Sequence, residues 1–370
     1  MRNDGMLGFT NSFGMIMDHD LARYHRQTLL PGFGEAGQRK LLDSTALVLG
    51  CGALGTVSAN MLARAGVGHL VIVDRDFIEL TNLQRQVLFD ERDVADAIPK
   101  AAAAKRRLAR INSQVEVTAI VDDINYQNIE RFADGADIFI DGLDNFEARY
   151  LANDLAVKNG TPYLYGGAVG TIGMAYAILP HTDDSKSTPC LRCLFDDAPP
   201  PGTSATCDTV GVIGPAVSMI ANFQVSEALK FLTGNVDRIN PEMLNIDLWS
   251  NTFMQLKVAH VRENGDCLCC KHRQFDYLDG KAGSSSTSLC GRDAVQLTHK
   301  QQSGSIDFDE LAARLQQHGN VQTNEFILRA NLTDNEKDYE LTLFRDGRAI
   351  IKGTGDISVA RSVYAKYFGS

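Results

Sequence analysis

The residues best placed to do chemistry are three glycines, one acid and a group of cations that share a single stretch of the chain. Gly50, Gly52 and Gly55 stand in the spacing Gly-x-Gly-x-x-Gly. That spacing lets a backbone turn sharply and brings a phosphate against the free N–H groups of a helix N-terminus, where the helix dipole favours negative charge. Asp74 follows roughly twenty residues later, where a nucleotide-binding fold places the acid that takes a ribose hydroxyl. To this point a nicotinamide-dependent dehydrogenase is served as well as an ATP-using enzyme. Thr81-Asn82-Leu83-Gln84-Arg85-Gln86 and Pro99-Lys100 then add polar and cationic groups beyond the acid. A dinucleotide has no need of them there, whereas a triphosphate does, because arginine and lysine on a leaving pyrophosphate stabilise the charge that develops. The competing reading of Arg85 and Lys100 is as solvated surface cations, which contribute little.

The elements that must hold these residues are legible around them. Ala46-Leu47-Val48-Leu49 is an apolar strand entering the glycine turn, Thr56 to Ala65 is a helix of small residues, and His69 to Val73 is a second strand ending at Asp74. A helix over Ala101 to Ile111 and strands over Val115 to Val121 and Asp137 to Asp141 continue the alternation, with a helical Asn125 to Phe132 between the two strands. Alternating strands and helices predict an α/β fold, a Rossmann-like doubly wound and mostly parallel sheet covered on both faces, with ligands at the carboxyl ends of its strands. Asp144 sits just past one such end, where it is either a site acid or the cap of a helix from Phe146 to Lys158. Asp20 to Arg39 reads as a short helix and then a loop, and Pro162 to Tyr165 as a strand leading through the glycine-rich Gly166 to Gly173 into a hairpin-like return over Met174 to Leu179. Met243 to Trp249 and Phe253 to Val261 read as an antiparallel extension of the sheet.

The chain has 370 residues, a hydrophobic content of 44% and a formal net charge of −10, with an isoelectric point near 5.3. Such a surface repels nucleic acid and anionic lipid, so neither is an expected partner. Polar residues interrupt the apolar ones near the N-terminus, and nowhere do eighteen apolar residues run together, so a soluble cytoplasmic protein is expected. Its eight cysteines are then better explained by metal or catalysis than by disulfides. Cys190 and Cys193 form one C-x-x-C pair, and Cys267 and Cys270 form another, with Cys269 as a neighbour. Two such pairs suit a closed tetrahedral zinc site, redox chemistry and unliganded buried thiols being the alternatives.

The order Arg23-Tyr24-His25-Arg26-Gln27, glycine turn, Asp74, Asn82-Leu83-Gln84-Arg85-Gln86, Lys100 and Asp144-Asn145 resembles the ThiF/MoeB family over roughly residues 20 to 272. These are relatives of the ubiquitin-activating enzymes that adenylate the C-terminal glycine of small sulfur-carrier proteins. One departure is Ala53, where such proteins usually carry a further glycine. The resemblance implies ATP and Mg²⁺ as cofactors, with Gly50, Gly52, Ala53 and Gly55 admitting the nucleotide and Asp74 on its ribose. It implies that Asn82, Arg85 and Lys100 act on the phosphates, that Asp144 holds magnesium, and that Cys190, Cys193, Cys267 and Cys270 meet around zinc. It further implies a homodimer in which Arg26 reaches the partner's nucleotide, and a ThiS- or MoaD-like carrier whose extended tail passes the glycine-rich strand. A sulfur donor such as a cysteine desulfurase or rhodanese would act next, and Cys207 matches a cysteine that some relatives use for a covalent link to the carrier. The expected reaction is attack of the carrier carboxylate on the α-phosphorus, which needs no general base because the nucleophile is already ionised. Activation of a ubiquitin-like modifier or tRNA-thiolation carrier is the nearest alternative; a dehydrogenase or a non-catalytic scaffold is further off.

The expected organisation is a loose arm over residues 1–19, the adenylation domain over 20–272 and a glycine- and serine-rich linker over 273–289. Residues 290–370 form a small α+β domain whose residues resemble no catalytic set. Within it, Phe308, Leu311, Ala312 and Leu315 mark one helix and Ile357, Ala360, Tyr364 and Tyr367 a last one. Strands are expected over Asn324 to Asn331, Asp338 to Phe344 and Arg348 to Lys352, with a turn at Asp346-Gly347.

Overall fold

A computed structural model describes residues 19–180, 187–195, 210–282, 288–289, 294–297, 308–334, 337–345 and 348–368. Cys207, the Pro199 to Ser204 segment and the Asp346-Gly347 turn lie outside the described residues. No helix is long and apolar enough to cross a membrane among the described residues.

The first sheet is built from β1 (Thr45–Leu49), β2 (His69–Val73), β3 (Glu116–Ile120), β4 (Ile138–Asp141), β5 (Tyr163–Val169), β6 (Ile172–Ile178), β7 (Met243–Asp247) and β8 (Thr252–Leu256). Its order is β3-β2-β1-β4-β5-β6-β7-β8. The strands from β3 to β5 pair in parallel, while β5 to β8 pair antiparallel. The chain leaves β1 toward β2 on one side and returns to β4 on the other, so a topological switch point opens between the carboxyl ends of β1 and β4. Ligands of doubly wound sheets bind in that crevice.

Period-two alternation along β1 splits the core into two layers. Ala46 and Val48 join a cluster with Ala59, Leu62, Ala104, Leu108, Val225 and Ala228. Helices Ala53–Ala65, Lys100–Ile111 and Gly214–Leu232 therefore cover that face. Leu47 and Leu49 instead meet Ile129, Phe132, Tyr150, Leu151 and Leu155, which belong to helices Ile129–Phe132 and Phe146–Asn159. Gly34–Leu42 is a helix where its glycines predicted a loop. Burial of Gln38 and Leu41 outweighs the weak local propensity. The last strand of the sheet ends at Leu256, and Ala259–Asn264 is a helix, so Val261 is helical rather than extended.

The second sheet comprises β9 (Ser288–Leu289), β10 (Ala294–Leu297), β11 (Gly319–Thr323), β12 (Ile327–Asp334), β13 (Lys337–Phe344) and β14 (Ala349–Lys352). It is antiparallel in the order β11-β12-β13-β14-β10-β9. Helices Phe308–Leu315 and Ile357–Phe368 cover one face through Phe308, Leu311, Leu315, Ala360 and Tyr364. The other face meets the first body through Ala294, Ile327, Phe344 and Ile350 against Phe77 and Ala97. Of the expected linker, Tyr277 stacks on Tyr150 at 5.0 Å and is fixed to the first core.

Candidate nucleotide site and four-cysteine centre

The crevice between β1 and β4 is lined by backbone because side chains would not fit. Gly50 has φ of +86°, a region that favours glycine, and a Cβ on it would lie 2.5 Å from the Gly142 carbonyl oxygen. A Cβ on Gly55 would meet the Gly50 oxygen at 1.9 Å. The first helical turn is thereby drawn against the strand ends. Gly52 is the N-cap and brings no capping side chain, so the N–H groups of the first turn remain for a ligand, an arrangement suited to phosphate. Ala53 is the first helical residue, half-buried, and its methyl packs with Leu54, Val57 and Val217.

Asp74 closes the turn from the β2 side. Its carboxylate accepts from Cys51 N at 2.6 Å and from Asp76 N at 2.7 Å. Burial pushes this carboxyl up to about 6, against the opposing pull of Lys100. Lys100 is not a solvated cation: it is 3% exposed and its ammonium lies 2.9 Å from the Asp76 carboxylate. Asn82 is buried, and its Oδ1 accepts from Glu79 N at 3.0 Å, locking the turn that carries Arg85. Arg85 donates to Thr81 O at 2.9 Å within that turn.

On the β4 side, Asp144 is exposed at the head of helix Phe146–Asn159. Asn145, not Asp144, caps the helix, its Oδ1 accepting from Ala148 N at 2.8 Å. Asp144 accepts from Asn145 Nδ2 at 3.1 Å and lies within electrostatic reach of Arg75 and Arg149. The capping alternative thus falls away, leaving its carboxylate facing solvent at the crevice.

Beneath this loop lies a charged network that sequence reasoning missed. Arg149, 8% exposed, pairs with the fully buried Asp141 at 3.1 Å. It also donates to the carbonyls of Leu143 at 2.7 Å and Gly166 at 3.0 Å. Gln224 donates to Asp141 O and Leu164 O. Burial raises the Asp141 carboxyl even with Arg149 opposing. An acid closing the apolar run Ile138-Phe139-Ile140-Asp141 was the available signal. Asp76, the partner of Lys100, was likewise missed.

Arg26 lies apart from this crevice, exposed on the short helix His25–Thr28. Beside it Leu29 and Leu30 are 60% and 56% exposed.

The four predicted cysteines come together. Sγ of Cys190 lies 3.8 Å from that of Cys193 and 3.6 Å from that of Cys267, Cys193 and Cys270 are 3.4 Å apart, and all four lie within 4.8 Å of one another. Tetrahedral zinc with Zn–S bonds near 2.3 Å sets its sulfurs about 3.8 Å apart, so the donor set fits that ion. Cys269 is fully buried and receives Asn153 Nδ2 at 3.4 Å instead.

Residues 24–270 match the ThiF family. Over 348 residues the chain is 44% identical to the sulfur carrier protein ThiS adenylyltransferase of Bacillus subtilis (strain 168), covering 94% of this chain and 99% of that protein. It is 38% identical over 253 residues to the protein of the same name from Escherichia coli (strain K12), covering 68% of this chain and 96% of the relative. A crystal structure of E. coli MccB with MccA-N7isoASN superposes with a TM-score of 0.57 at 25% identity, over 67% of this chain and 74% of that one. The chain belongs to the ThiF family.

Proposed function

We propose that this protein uses ATP to adenylate the C-terminal glycine of a small ubiquitin-like sulfur carrier, and that the carrier is ThiS-like. The observation that supports the reading most is the uncapped helix N-terminus at the crevice, with Lys100 against Asp76 at 2.9 Å following β2 and the exposed Asp144 following β4. The ThiS preference draws support from the Bacillus relative, which is matched along nearly its whole length, second sheet included.

In this reading the N–H groups around Gly52 and Ala53 receive phosphate oxygens and Asp74 takes the ribose. Lys100 and Arg85 neutralise the charge that grows on the departing pyrophosphate. A carboxylate oxygen of the carrier forms a bond to the α-phosphorus, the bond from that phosphorus to the bridging oxygen breaks, and pyrophosphate leaves with the electron pair. Acyl-adenylate remains. Magnesium held by Asp144 would supply further charge neutralisation on the phosphates. The glycine-bearing β5–β6 hairpin offers backbone, with little side-chain bulk, to an extended tail. Cys190, Cys193, Cys267 and Cys270 would hold a structural zinc, since four thiolates leave no open position. Arg26, with Leu29 and Leu30 exposed beside it, would face a second copy of the chain.

Asp144→Ala tests this assignment. Because Asn145 supplies the cap, the variant is expected to keep its melting temperature while losing carrier-dependent ATP–pyrophosphate exchange. Near-normal turnover would sink the role given to Asp144.

A further inference from the structure

The segment that follows β2 is extended and shows two faces. Asp74, Asp76 and Ile78 turn toward the first body: Asp74 onto the glycine turn, Asp76 onto Lys100, Ile78 into the core. Arg75, Phe77 and Glu79 turn the other way, and each meets the second sheet. Arg75 donates to Gln296 Oε1 at 3.4 Å, and both reach Asp123. Phe77 lies against Phe344 with ring centroids 5.6 Å apart, and its backbone bridges Pro99, the neighbour of Lys100. Glu79 accepts from Lys352 Nζ at 2.7 Å, and the same ammonium lies 3.0 Å from Glu340.

These contacts come from one face of the second sheet. Strand alternation sends Val295, Leu341, Leu343 and Ile351 into that sheet's own helical core. The intervening Gln296, Phe344, Ile350 and Lys352 face the first body. Two strand-like faces are thus apposed, and one carries the nucleotide-site acids on its back.

We infer that the C-terminal sheet positions the ATP site, with Lys352 as a positioning residue: by holding Glu79 it fixes the segment that presents Asp74 and the Asp76–Lys100 pair to the nucleotide. Glu79 also carries the N–H that fixes Asn82, so the same grip reaches the turn bearing Arg85. The inference rests on the adenylation reading.

The test uses the full chain and ATP–pyrophosphate exchange with a ThiS-like carrier. Lys352→Met is expected to raise the KM for ATP about twofold to fivefold, the scale of one partly exposed ion pair, with the KM for carrier unchanged. Lys352→Arg restores most of the affinity, and Glu79→Ala, which gives up the capping contact to Asn82 as well as the pair, produces at least the same defect. Arg106→Ala breaks a different contact between the two bodies, the 2.7 Å pair with Glu325, and is expected to leave the KM for ATP unchanged. Folded Lys352→Met and Glu79→Ala proteins with wild-type KM for ATP would overturn the inference, as would an equal rise in the KM for carrier. A wild-type protein without exchange or ATP binding refutes the adenylation reading and this inference with it; wild-type exchange with unmoved variants refutes the inference alone.

Discussion

Replacing Arg149 by methionine removes one side of a buried ion pair and leaves the other with no substitute. Asp141 is fully buried, and the guanidinium 3.1 Å away is its charged partner. Truncating one member of such a pair typically costs about 3–5 kcal/mol, because the remaining charge stays desolvated. Methionine fills similar space, so little of that loss comes from a cavity. The carbonyls of Leu143 and Gly166 lose a donor at the same time. A loss of that size is a large share of the roughly 5–15 kcal/mol that holds a folded domain. Urea unfolding measures it as a midpoint shift at unchanged slope. The pH dependence follows from Asp141, whose carboxyl burial already raises. A raised folded pKa contributes stability that is fully present below the unfolded value near 3.9 and is lost as pH rises through the folded value. Without Arg149 the rise is larger, so the deficit of Arg149→Met relative to wild type is smaller at pH 5 than at pH 8. Adding Asp141→Asn to Arg149→Met removes the stranded charge and should recover about 1–3 kcal/mol at pH 8. A deficit under about 1 kcal/mol, or one that grows toward pH 5, would refute the reasoning.

Other outcomes follow from the same geometry. The Asp74 carboxyl, pushed up to about 6 chiefly by burial, contributes stability below the unfolded range that is lost as pH rises through 6. Asp74→Asn, whose amide can accept only one of the two N–H bonds from Cys51 and Asp76, should weaken ATP binding and flatten its pH dependence, whereas the wild-type affinity for ATP should fall as pH drops through that value; titration calorimetry across pH 5 to 8 reads both proteins. Elemental analysis should find one zinc equivalent in the wild-type protein; Cys267→Ser should lose it and melt at lower temperature, whereas Cys269→Ser, altering a thiol outside the four-sulfur cluster, should retain the metal.

The parts of this molecule that the sequence made legible are those whose physics is local. An apolar strand, a glycine turn and a small-residue helix announce themselves within twenty residues, and Asp74 follows at a spacing set by one βαβ unit. The two cysteine pairs were legible as pairs, but their meeting is tertiary. Lys100 could not be told from a solvated lysine, because its partner Asp76 sits among several acids of equal local appearance. The Arg149–Asp141 pair was hidden for the same reason: charges in sequence carry no mark of burial. β10 and β11 escaped notice, as β11 is mostly polar and exposed and β10 lies alone between segments without clear periodicity. The grip of Lys352 on Glu79 joins residues far apart in sequence and has no local signature.

The most direct measurement is carrier-dependent ATP–pyrophosphate exchange, with a ThiS-like and a MoaD-like protein ending in Gly-Gly compared side by side. The account predicts exchange with the ThiS-like carrier that disappears when its terminal glycine is removed. Tight ATP binding with no exchange from either carrier, or exchange indifferent to the terminal glycine, would contradict it.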